Sequence, residues 1–253
     1  ADVHVTIRPG TDLAFLGGIV RYILAHDRHF AEYVVHYTNA ATILSPDYAF
    51  DAEQGVFAGY DAATRKYDLL PHAWDYVMEL DAEGRPWRPK VDPTLQDPNC
   101  VFQVLKRHFD PYTPEKVAEV CGCRPQDVVR VAELLCRNSG RERTSAIAYA
   151  LGWTQHGTGP QIIRTAAIVQ LLLGNLGRPG GGIMALRGYA NVKGATDIPT
   201  LFNSLPNYLP APHAVAAQAT LAGYLGNGHS SGARRGGVAE GLWQMDVTHG
   251  AWA

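Results

Sequence analysis

The spacing of apolar residues predicts a short strand followed by a helix at the start of the chain. Residues 3–7 (VHVTI) alternate apolar and polar positions, which is the period of a β-strand. After a turn at residues 8–10, apolar residues return at helical spacing over residues 13–24. Thr11 stands where a helix N-cap is expected, and Asp12 falls in the first turn, where negative charge is favoured. This layout is common in nucleotide-binding proteins, although an ordinary capped helix has the same pattern.

A second strand-and-helix unit is predicted in the middle of the chain. The run from Ser145 to Leu151 is short, apolar and uninterrupted, as in a strand buried on both faces of a parallel sheet. A polar loop from Gly152 to Gly159 follows it, and the next helix is expected from Ile162 to Leu173. Because ligands gather at the carboxyl ends of parallel strands, we expect Gln155 to lie near the N-terminus of the first helix. Its amide can donate and accept at once, which suits the edge of a heterocycle.

The other regular elements predicted from the sequence are helices, and they flank a long irregular segment. Glycine, proline and scattered aromatic residues interrupt every pattern between about residues 40 and 99, which indicates a packed insertion that covers one face. The pair Thr113-Pro114 predicts a capped helix start. Helices are expected at residues 30–37, 101–108 and 115–121, and from Pro125 onward. Together these patterns predict an α/β fold.

Composition excludes several classes of protein. With 253 residues, 46% of them apolar, the chain can bury a core for one α/β domain or one domain and part of another. The net charge of −2 and the pI near 6.6 argue against binding of nucleic acid by the protein as a whole. Arg164 and Gln170 interrupt the longest apolar run, so no membrane-spanning segment is expected. The sequence opens without Met or a signal-peptide pattern, so we expect a piece of a larger protein.

The segment from Arg143 to Thr196 differs from the rest of the chain in charge and glycine content. It contains no Asp or Glu, although the chain carries 24 acidic residues, and seven glycines lie between Gly174 and Gly194. Such a surface concentrates anions and lets a ligand approach the backbone, so we predict a binding wall for a large polyanion. Arg187, between Leu186 and Gly188, would present its guanidinium to an anionic substrate. A structural arginine paired with a distant carboxylate is the alternative.

Histidines and cysteines provide further candidates for chemistry. His156 would carry a proton or bind a metal, or simply contact solvent or a backbone carbonyl. His26 and His29 have the spacing of a metal-binding pair, and a solvated helix end is the alternative interpretation. The four cysteines lack the spacing of a zinc site, which favours buried free thiols. We assign no metal ligand from the sequence.

Two motifs, LGWTQHGTG at residues 151–159 and GNLGRPGGGIMALRGYANVKGATD at residues 174–197, resemble the catalytic subunit of molybdopterin-dependent formate dehydrogenases. These enzymes belong to the dimethyl sulfoxide reductase superfamily. The resemblance is to the respiratory formate dehydrogenase-N type and covers residues 1 to about 212. It implies Rossmann-like αβα layers with a mostly parallel sheet, and the aromatic-rich insertion expected from the residues at about 40–99 would be added to that fold. Residues 1–189 would be part of a domain that binds molybdopterin guanine dinucleotide, and residues 190–253 would start the next cofactor domain and end in an irregular, truncated tail.

The resemblance also implies roles for individual residues. Arg187 falls on the arginine that orients formate and stabilises charge beside the metal. Tyr189, the second catalytic candidate, departs from the His or Gln that related enzymes usually carry. Contacts with a bis(molybdopterin guanine dinucleotide) of Mo or W are implied for Gly10, Thr11, Asp12, Leu151, Gly152, Gln155, Gly188 and Asn191.

The implied function is that of a central fragment of a formate dehydrogenase α subunit, which oxidises formate to CO2 in anaerobic respiration. The [4Fe–4S] cluster and the selenocysteine or cysteine that ligates the metal are expected outside this sequence, so the isolated chain should be inactive. Implied partners are an iron–sulfur (beta) subunit and a membrane cytochrome b (gamma) subunit, at the periplasmic face of the membrane or, alternatively, in the cytoplasm. Rival hypotheses are a related oxidoreductase for nitrate or an arsenic oxyanion, which the RGYAN motif disfavours, and a non-catalytic nucleotide-binding or partner-docking module.

Overall fold

The computed structural model divides the chain into two compact units. They comprise residues 1–186 and residues 187–253. The assignment of these parts to two cofactor domains stays a prediction. The residues that the structure describes are 1–51, 53–67, 76–186, 204–205, 209–210 and 219–226. Four of the candidate site residues therefore lie outside the described residues, namely Arg187, Gly188, Tyr189 and Asn191.

The described part of the first unit is mainly helical. Its helices are α1 (Asp12–Ala25), α2 (Ala31–Tyr37), α3 (Val101–Phe109), α4 (Pro114–Cys121), α5 (Pro125–Arg137), α6 (Leu151–Thr154) and α7 (Gly159–Leu172). The core centres on α1, which packs against α3, α4, α5 and α7. Ile19, Val20 and Ile23 of α1 are almost completely buried there. In the second unit, β9 (Ser204–Leu205) pairs with β10 (Leu209–Pro210), and α8 spans Leu221–Gly226.

Local capping explains where α4 and α5 begin. Thr113 Oγ1 accepts a hydrogen bond from Lys116 N at 3.2 Å, and proline takes the first helical position of both helices. The Asp127 carboxylate pairs with the Arg124 guanidinium and accepts from the Arg124 backbone N–H, which closes the first turn of α5. The helix starts predicted from Thr113-Pro114 and Pro125 are confirmed.

The N-terminal segment departs from its predicted structure. Residues 3–7 form no ladder with any described residue, so the predicted strand is wrong for this part of the chain. Their alternation nevertheless appears in the burial, with Val3, Val5 and Ile7 half-buried between exposed neighbours. The pattern specifies which side chains face the core, whereas a strand also needs a partner backbone for its hydrogen bonds.

A parallel pair of strands carries the central βαβ unit. Strand β7 (Ala146–Tyr149) pairs with β8 (Gly182–Ala185), and α7 lies between them in sequence and packs on β8. The parallel strand was predicted, but burial on both faces was wrong, because the β7 residues are alternately exposed and half-buried. Tyr149 O accepts from Leu186 N at 2.7 Å, so the alternation of backbone groups directs those of Ala146 and Ala148 away from β8. The full Rossmann-like layering stays a prediction.

Short hairpins make up the described part of the segment between α2 and α3. Antiparallel pairs join β1 (Phe50–Asp51) with β2 (Val56–Phe57), β3 (Tyr60–Asp61) with β4 (Lys66–Tyr67), and β5 (Met78–Leu80) with β6 (Pro86–Pro89). Cross-strand aromatic pairs stabilise the first two hairpins, with ring centroids 4.9 Å apart for Phe50 and Phe57 and 5.2 Å apart for Tyr60 and Tyr67. A bridge between Ile43 and Cys100, both buried, ties the segment to the core.

Candidate functional site

The N-terminus of α1 is open to a ligand. Gly10 is exposed with φ 84°, and no atom of the described residues lies within 4 Å of the place that its Cβ would take. Thr11 takes the N-cap position, but its hydroxyl donates to Arg8 O at 2.6 Å and does not cap the helix amides. The predicted side-chain cap is therefore wrong, because the turn uses that hydroxyl. No acceptor among the described residues takes the first-turn N–H groups, which lie at the positive end of the helix dipole.

Arg8 fixes this turn to the end of α4. Its guanidinium donates to the carbonyls of Glu119 and Val120 at 2.7 and 3.0 Å, which lack helical partners at that helix end. Its backbone N–H donates to Cys121 O at 2.8 Å, and Cys121 Sγ contacts Thr11 O at 3.5 Å. The sequence indicated only a turn at Arg8, because an arginine that caps a distant helix has no local signature.

The segment that follows β7 presents the second set of predicted contacts. Leu151, Gly152 and Gln155 are all exposed at the carboxyl end of the strand. The predicted exit loop is partly helical, since α6 begins directly at Leu151 and α7 begins at Gly159, three residues earlier than expected. The side chain of Gln155 is therefore accessible, and its backbone N–H closes the α6 turn by donating to Leu151 O at 3.0 Å.

Trp153 joins the two segments. Its indole Nε1 donates a hydrogen bond to Asp12 Oδ1 at 3.0 Å, across 141 residues of sequence. Its ring stacks on Tyr149, with centroids 5.4 Å apart and an interplanar angle of 18°. The predicted proximity of the Gln155 loop to the N-terminus of α1 is confirmed by this contact. No role for Trp153 was predicted from the sequence, where its only signal is a large aromatic side chain in a short polar loop.

A buried amide network holds the opposite ends of β7 and β8. Gln170 Nε2 donates to Ser145 O at 2.9 Å and to Gly182 O at 2.7 Å, and thus bridges the starts of both strands. Asn175 Oδ1 accepts from Ser145 N at 3.2 Å. The two strands are consequently fixed at one end by buried amides, while their carboxyl ends are left to the candidate site. Gln170 interrupts an apolar run in the sequence, and its hydrogen bonds to the starts of β7 and β8 explain why a polar residue lies there.

One arginine of the predicted basic wall has a structural role. Arg178 donates to Gly140 O at 2.6 Å, to Gly174 O at 3.0 Å and to Arg141 O. Its guanidinium also lies 5.7 Å from the centroid of the Phe30 ring. These contacts connect the end of α7 to the segment after α5. The guanidinium of Arg178 is therefore engaged in structural contacts.

The histidine candidates are partly enclosed. His29 packs against Phe102 with the two rings tilted by 53° and their centroids 4.7 Å apart, and burial lowers the pKa of its imidazole. His29 Nδ1 and His156 Nδ1 are buried and take no hydrogen bond within the described part of the chain. The described residues contain no group of three or more His, Cys, Asp or Glu arranged to hold a metal ion.

The cysteines are free thiols. Cys100, Cys121 and Cys136 are buried and Cys123 is half-buried, which agrees with the interpretation as core thiols. Burial raises the pKa of Cys136 to about 11, so this thiol is protonated and unreactive at neutral pH. In the described ranges, no helix has both the length and the apolar character that are required to cross a membrane.

Comparison with known proteins identifies the class. The chain is 48% identical over 212 residues to the nitrate-inducible formate dehydrogenase major subunit of Escherichia coli strain K12, which covers 84% of this chain and 20% of that protein. It is 46% identical over 223 residues to the formate dehydrogenase 2 subunit alpha (cytochrome c-553) of Nitratidesulfovibrio vulgaris, covering 88% and 21%. Identity to the formate dehydrogenase major subunit of Haemophilus influenzae is 44% over 213 residues, covering 84% and 20%. No protein-family profile matches the chain.

At this level of identity the chain belongs to the family of formate dehydrogenase major (alpha) subunits. It spans about a fifth of the length of these curated relatives. The relatives are named as subunits, so each is one component of a larger enzyme.

Proposed function

We propose that the protein oxidises formate to CO2 as part of the catalytic subunit of a molybdenum- or tungsten-dependent formate dehydrogenase. The observation that carries this proposal is the 44–48% identity to formate dehydrogenase major or alpha subunits over more than four fifths of the chain. The F420-dependent formate dehydrogenase alpha subunits of Methanococcus maripaludis are also similar, at 34–35% identity over shorter stretches.

The described residues fit a dinucleotide cofactor. The open turn at Gly10 and the first-turn amides of α1 suit a phosphate, since backbone N–H groups and the helix dipole both favour negative charge there. The exposed Gln155 amide suits a polar heterocycle edge, and the Trp153–Asp12 hydrogen bond places this turn beside α1. We therefore propose that the two segments share one bis(molybdopterin guanine dinucleotide) ligand, within a Rossmann-like domain. The contacting residues would be Gly10, Thr11, Asp12, Leu151, Gly152 and Gln155, with Gly188 and Asn191 from beyond the described residues.

When bound, the metal–pterin group would supply the two-electron redox chemistry. The contribution of the protein is to bind and orient formate, and we propose Arg187 for that role. Its guanidinium remains protonated at any physiological pH, and its planar fork matches a carboxylate with two parallel hydrogen bonds. Tyr189 would lie next to the substrate as the second catalytic candidate. Neither side chain is among the described residues, so both roles rest on the motif.

The remaining features of the whole enzyme follow from the same proposal. Electrons would leave through a [4Fe–4S] cluster carried elsewhere in the catalytic subunit, then through an iron–sulfur beta subunit and a membrane cytochrome b gamma subunit. The enzyme would act at the periplasmic face of the membrane. Residues 1–189 would belong to one cofactor domain, with the insertion at about 40–99, and the segment from residue 190 would start the next domain.

The test uses the full-length protein, purified anaerobically. We expect molybdenum or tungsten together with two pterin guanine dinucleotides per chain, and formate-dependent reduction of a viologen dye. Turnover of nitrate or arsenate by the loaded protein, with none of formate, would instead support the related oxidoreductase. A folded protein with neither metal nor pterin would support a non-catalytic nucleotide-binding module.

A further inference from the structure

We propose that Trp153 is a positioning residue for the dinucleotide cofactor. Its indole N–H fixes the carboxylate of Asp12 and thereby holds the two cofactor-contacting segments in one arrangement. This inference rests on the proposed function, and it adds a residue to which neither the motifs nor the similarity assigns a role.

The geometry at Asp12 leaves one oxygen for a ligand. Oδ1 accepts the indole hydrogen at 3.0 Å, and no other described group donates to this carboxylate. A carboxylate in the first turn of a helix otherwise rotates freely about its side-chain bonds, and a rotating group loses entropy on binding. Donation from Trp153 restricts this rotation in advance and leaves Oδ2 to accept from N–H donors of a ligand. Asp12 is half-buried, so the contact is partly shielded from water.

Trp153 is itself held rigidly by strand β7. Its ring stacks on Tyr149, the last residue of β7, and packs against the main hydrophobic core. Its backbone N–H donates to Ala150 O at 3.2 Å. Tyr149 O in turn accepts from Leu186 N at 2.7 Å, directly before Arg187 in sequence. One continuous set of contacts therefore links the N-terminus of α1, the exit of β7 and the end of β8.

The packing of the Trp153 ring does not require the indole nitrogen. Phenylalanine would preserve the stacking and the packing, and an aspartate in the first helical turn is already stabilised by the dipole. A hydrogen bond to a charged acceptor that orders a binding residue is typically associated with a change of about ten-fold or more in an equilibrium constant. Loss of the N–H group is thus expected to weaken ligand retention by about ten-fold while the packing of the ring is kept.

The experiment compares Trp153→Phe with the wild-type full-length protein loaded with cofactor. We expect guanine nucleotide, measured as GMP released by acid hydrolysis of the protein fraction, to be lost about ten-fold faster from the variant after dilution and gel filtration. Trp87→Phe is the matched control, since Trp87 is 67% exposed on β6 and should retain nucleotide like the wild type.

A double-mutant cycle separates positioning from general packing. If Trp153 acts through Asp12, Trp153→Phe should cause no further loss of nucleotide in the Asp12→Ala background. Replacement of Trp153 by 3-benzothienylalanine keeps the shape of the ring and lacks the N–H, so it answers the question even if Trp153→Phe fails to fold. This isostere should also lose nucleotide about ten-fold faster.

Two results would overturn the inference while the proposed function stands. One is a loaded, active wild-type protein whose Trp153 isostere retains nucleotide like the wild type. The other is a double mutant in which the effects of Trp153→Phe and Asp12→Ala on nucleotide loss are fully additive. If the wild-type protein contains no pterin nucleotide, the proposed function is wrong. The inference about Trp153 is then wrong as well, and no variant is needed to show it.

Discussion

Asn175 donates a hydrogen bond from Nδ2 to Gln170 Oε1 at 2.7 Å, and both side chains are completely buried. The pair connects the end of α7 to the first residues of β7 and β8, because Gln170 bridges the carbonyls of Ser145 and Gly182. Buried amides are stable only when their partners are present. This relationship therefore makes the strand register sensitive to a single side chain in the neighbouring helix.

Gln170→Leu should lower the free energy of unfolding by about 2–4 kcal/mol, because it removes the buried hydrogen bonds of this side chain to the carbonyls of Ser145 and Gly182 and to Asn175 Nδ2. Urea unfolding followed by circular dichroism measures the change. Gln161→Leu on the exposed side of the same helix is the control, and it should change stability by less than about 0.5 kcal/mol. Equal losses of unfolding free energy for the two substitutions would show that the buried amide network does not stabilise the fold as predicted.

Gly181 is required for a close backbone approach in the glycine-rich stretch before β8. A Cβ at this position would lie 2.2 Å from Asn175 O, a backbone atom that has no room to move away. Gly181→Ala should therefore cost about 2–4 kcal/mol of stability and disturb the start of β8. Gly157→Ala is the matched control, because no described atom lies within 4 Å of its Cβ position, and it should be neutral or slightly stabilising in the same urea titration.

Asp92 should make part of the stability depend on acid pH. The hydroxyl of Thr94 and the backbone N–H groups of Thr94, Gln96 and Asp97 donate to its carboxylate, which lowers its pKa from 3.8 to about 2. Since the folded pKa is depressed, the contribution is present in full above about pH 4 and is lost as the pH falls toward 2. Asp92→Asn should therefore be most destabilising near pH 5, and its difference from the wild type should shrink toward pH 2.

The measurement for Asp92 is the urea midpoint at a series of pH values. Asp47→Asn is the control, because no described group donates to that exposed carboxylate. Its difference from the wild type should stay constant over the same range. A constant difference for Asp92→Asn as well would contradict the predicted linkage.

Arg187→Lys should lower kcat/KM for formate in the full-length enzyme by roughly 30- to 1000-fold, with little change in cofactor content. Lysine keeps the charge but loses the planar fork, and a charge-assisted bidentate contact is worth about 2–4 kcal/mol. Steady-state kinetics and metal analysis on the same preparations measure both quantities.

Arg143→Lys is the matched control for this substitution. Arg143 is exposed in the same basic stretch and forms no ion pair with the described residues, so the variant should behave like the wild type. Normal turnover by Arg187→Lys would assign Arg187 a structural role. Joint loss of activity and metal would place this arginine in the cofactor site.

Local chemistry in the sequence predicted much of the helical structure. Thr113-Pro114 and Pro125 begin helices because a cap and a proline act within one turn, independently of the rest of the fold. The apolar run after Ser145 likewise predicted a parallel strand, and Gly140 and Gly174 lie close to helix ends.

Contacts between distant residues escaped prediction. The Trp153–Asp12 hydrogen bond spans 141 residues, and the amide pair at Gln170 depends on how α7 packs on the strands. The predicted strand at residues 3–7 failed for the same reason, since alternation does not supply a partner backbone. The candidate site residues came from motifs, and the structure adds how Arg8 and Trp153 hold the segments that carry them.

The outer edge of β7, with which no described strand pairs, has a practical consequence for work with this chain. Ala146 and Ala148 turn their backbone groups away from β8, and Met184 leaves 53% of its surface in solvent. An unpaired strand edge next to bare apolar surface is a template on which copies of a polypeptide stick together. A preparation of this chain by itself is thus expected to aggregate at high concentration. That aggregation would result from the strand edge and would not mean that the chain is misfolded.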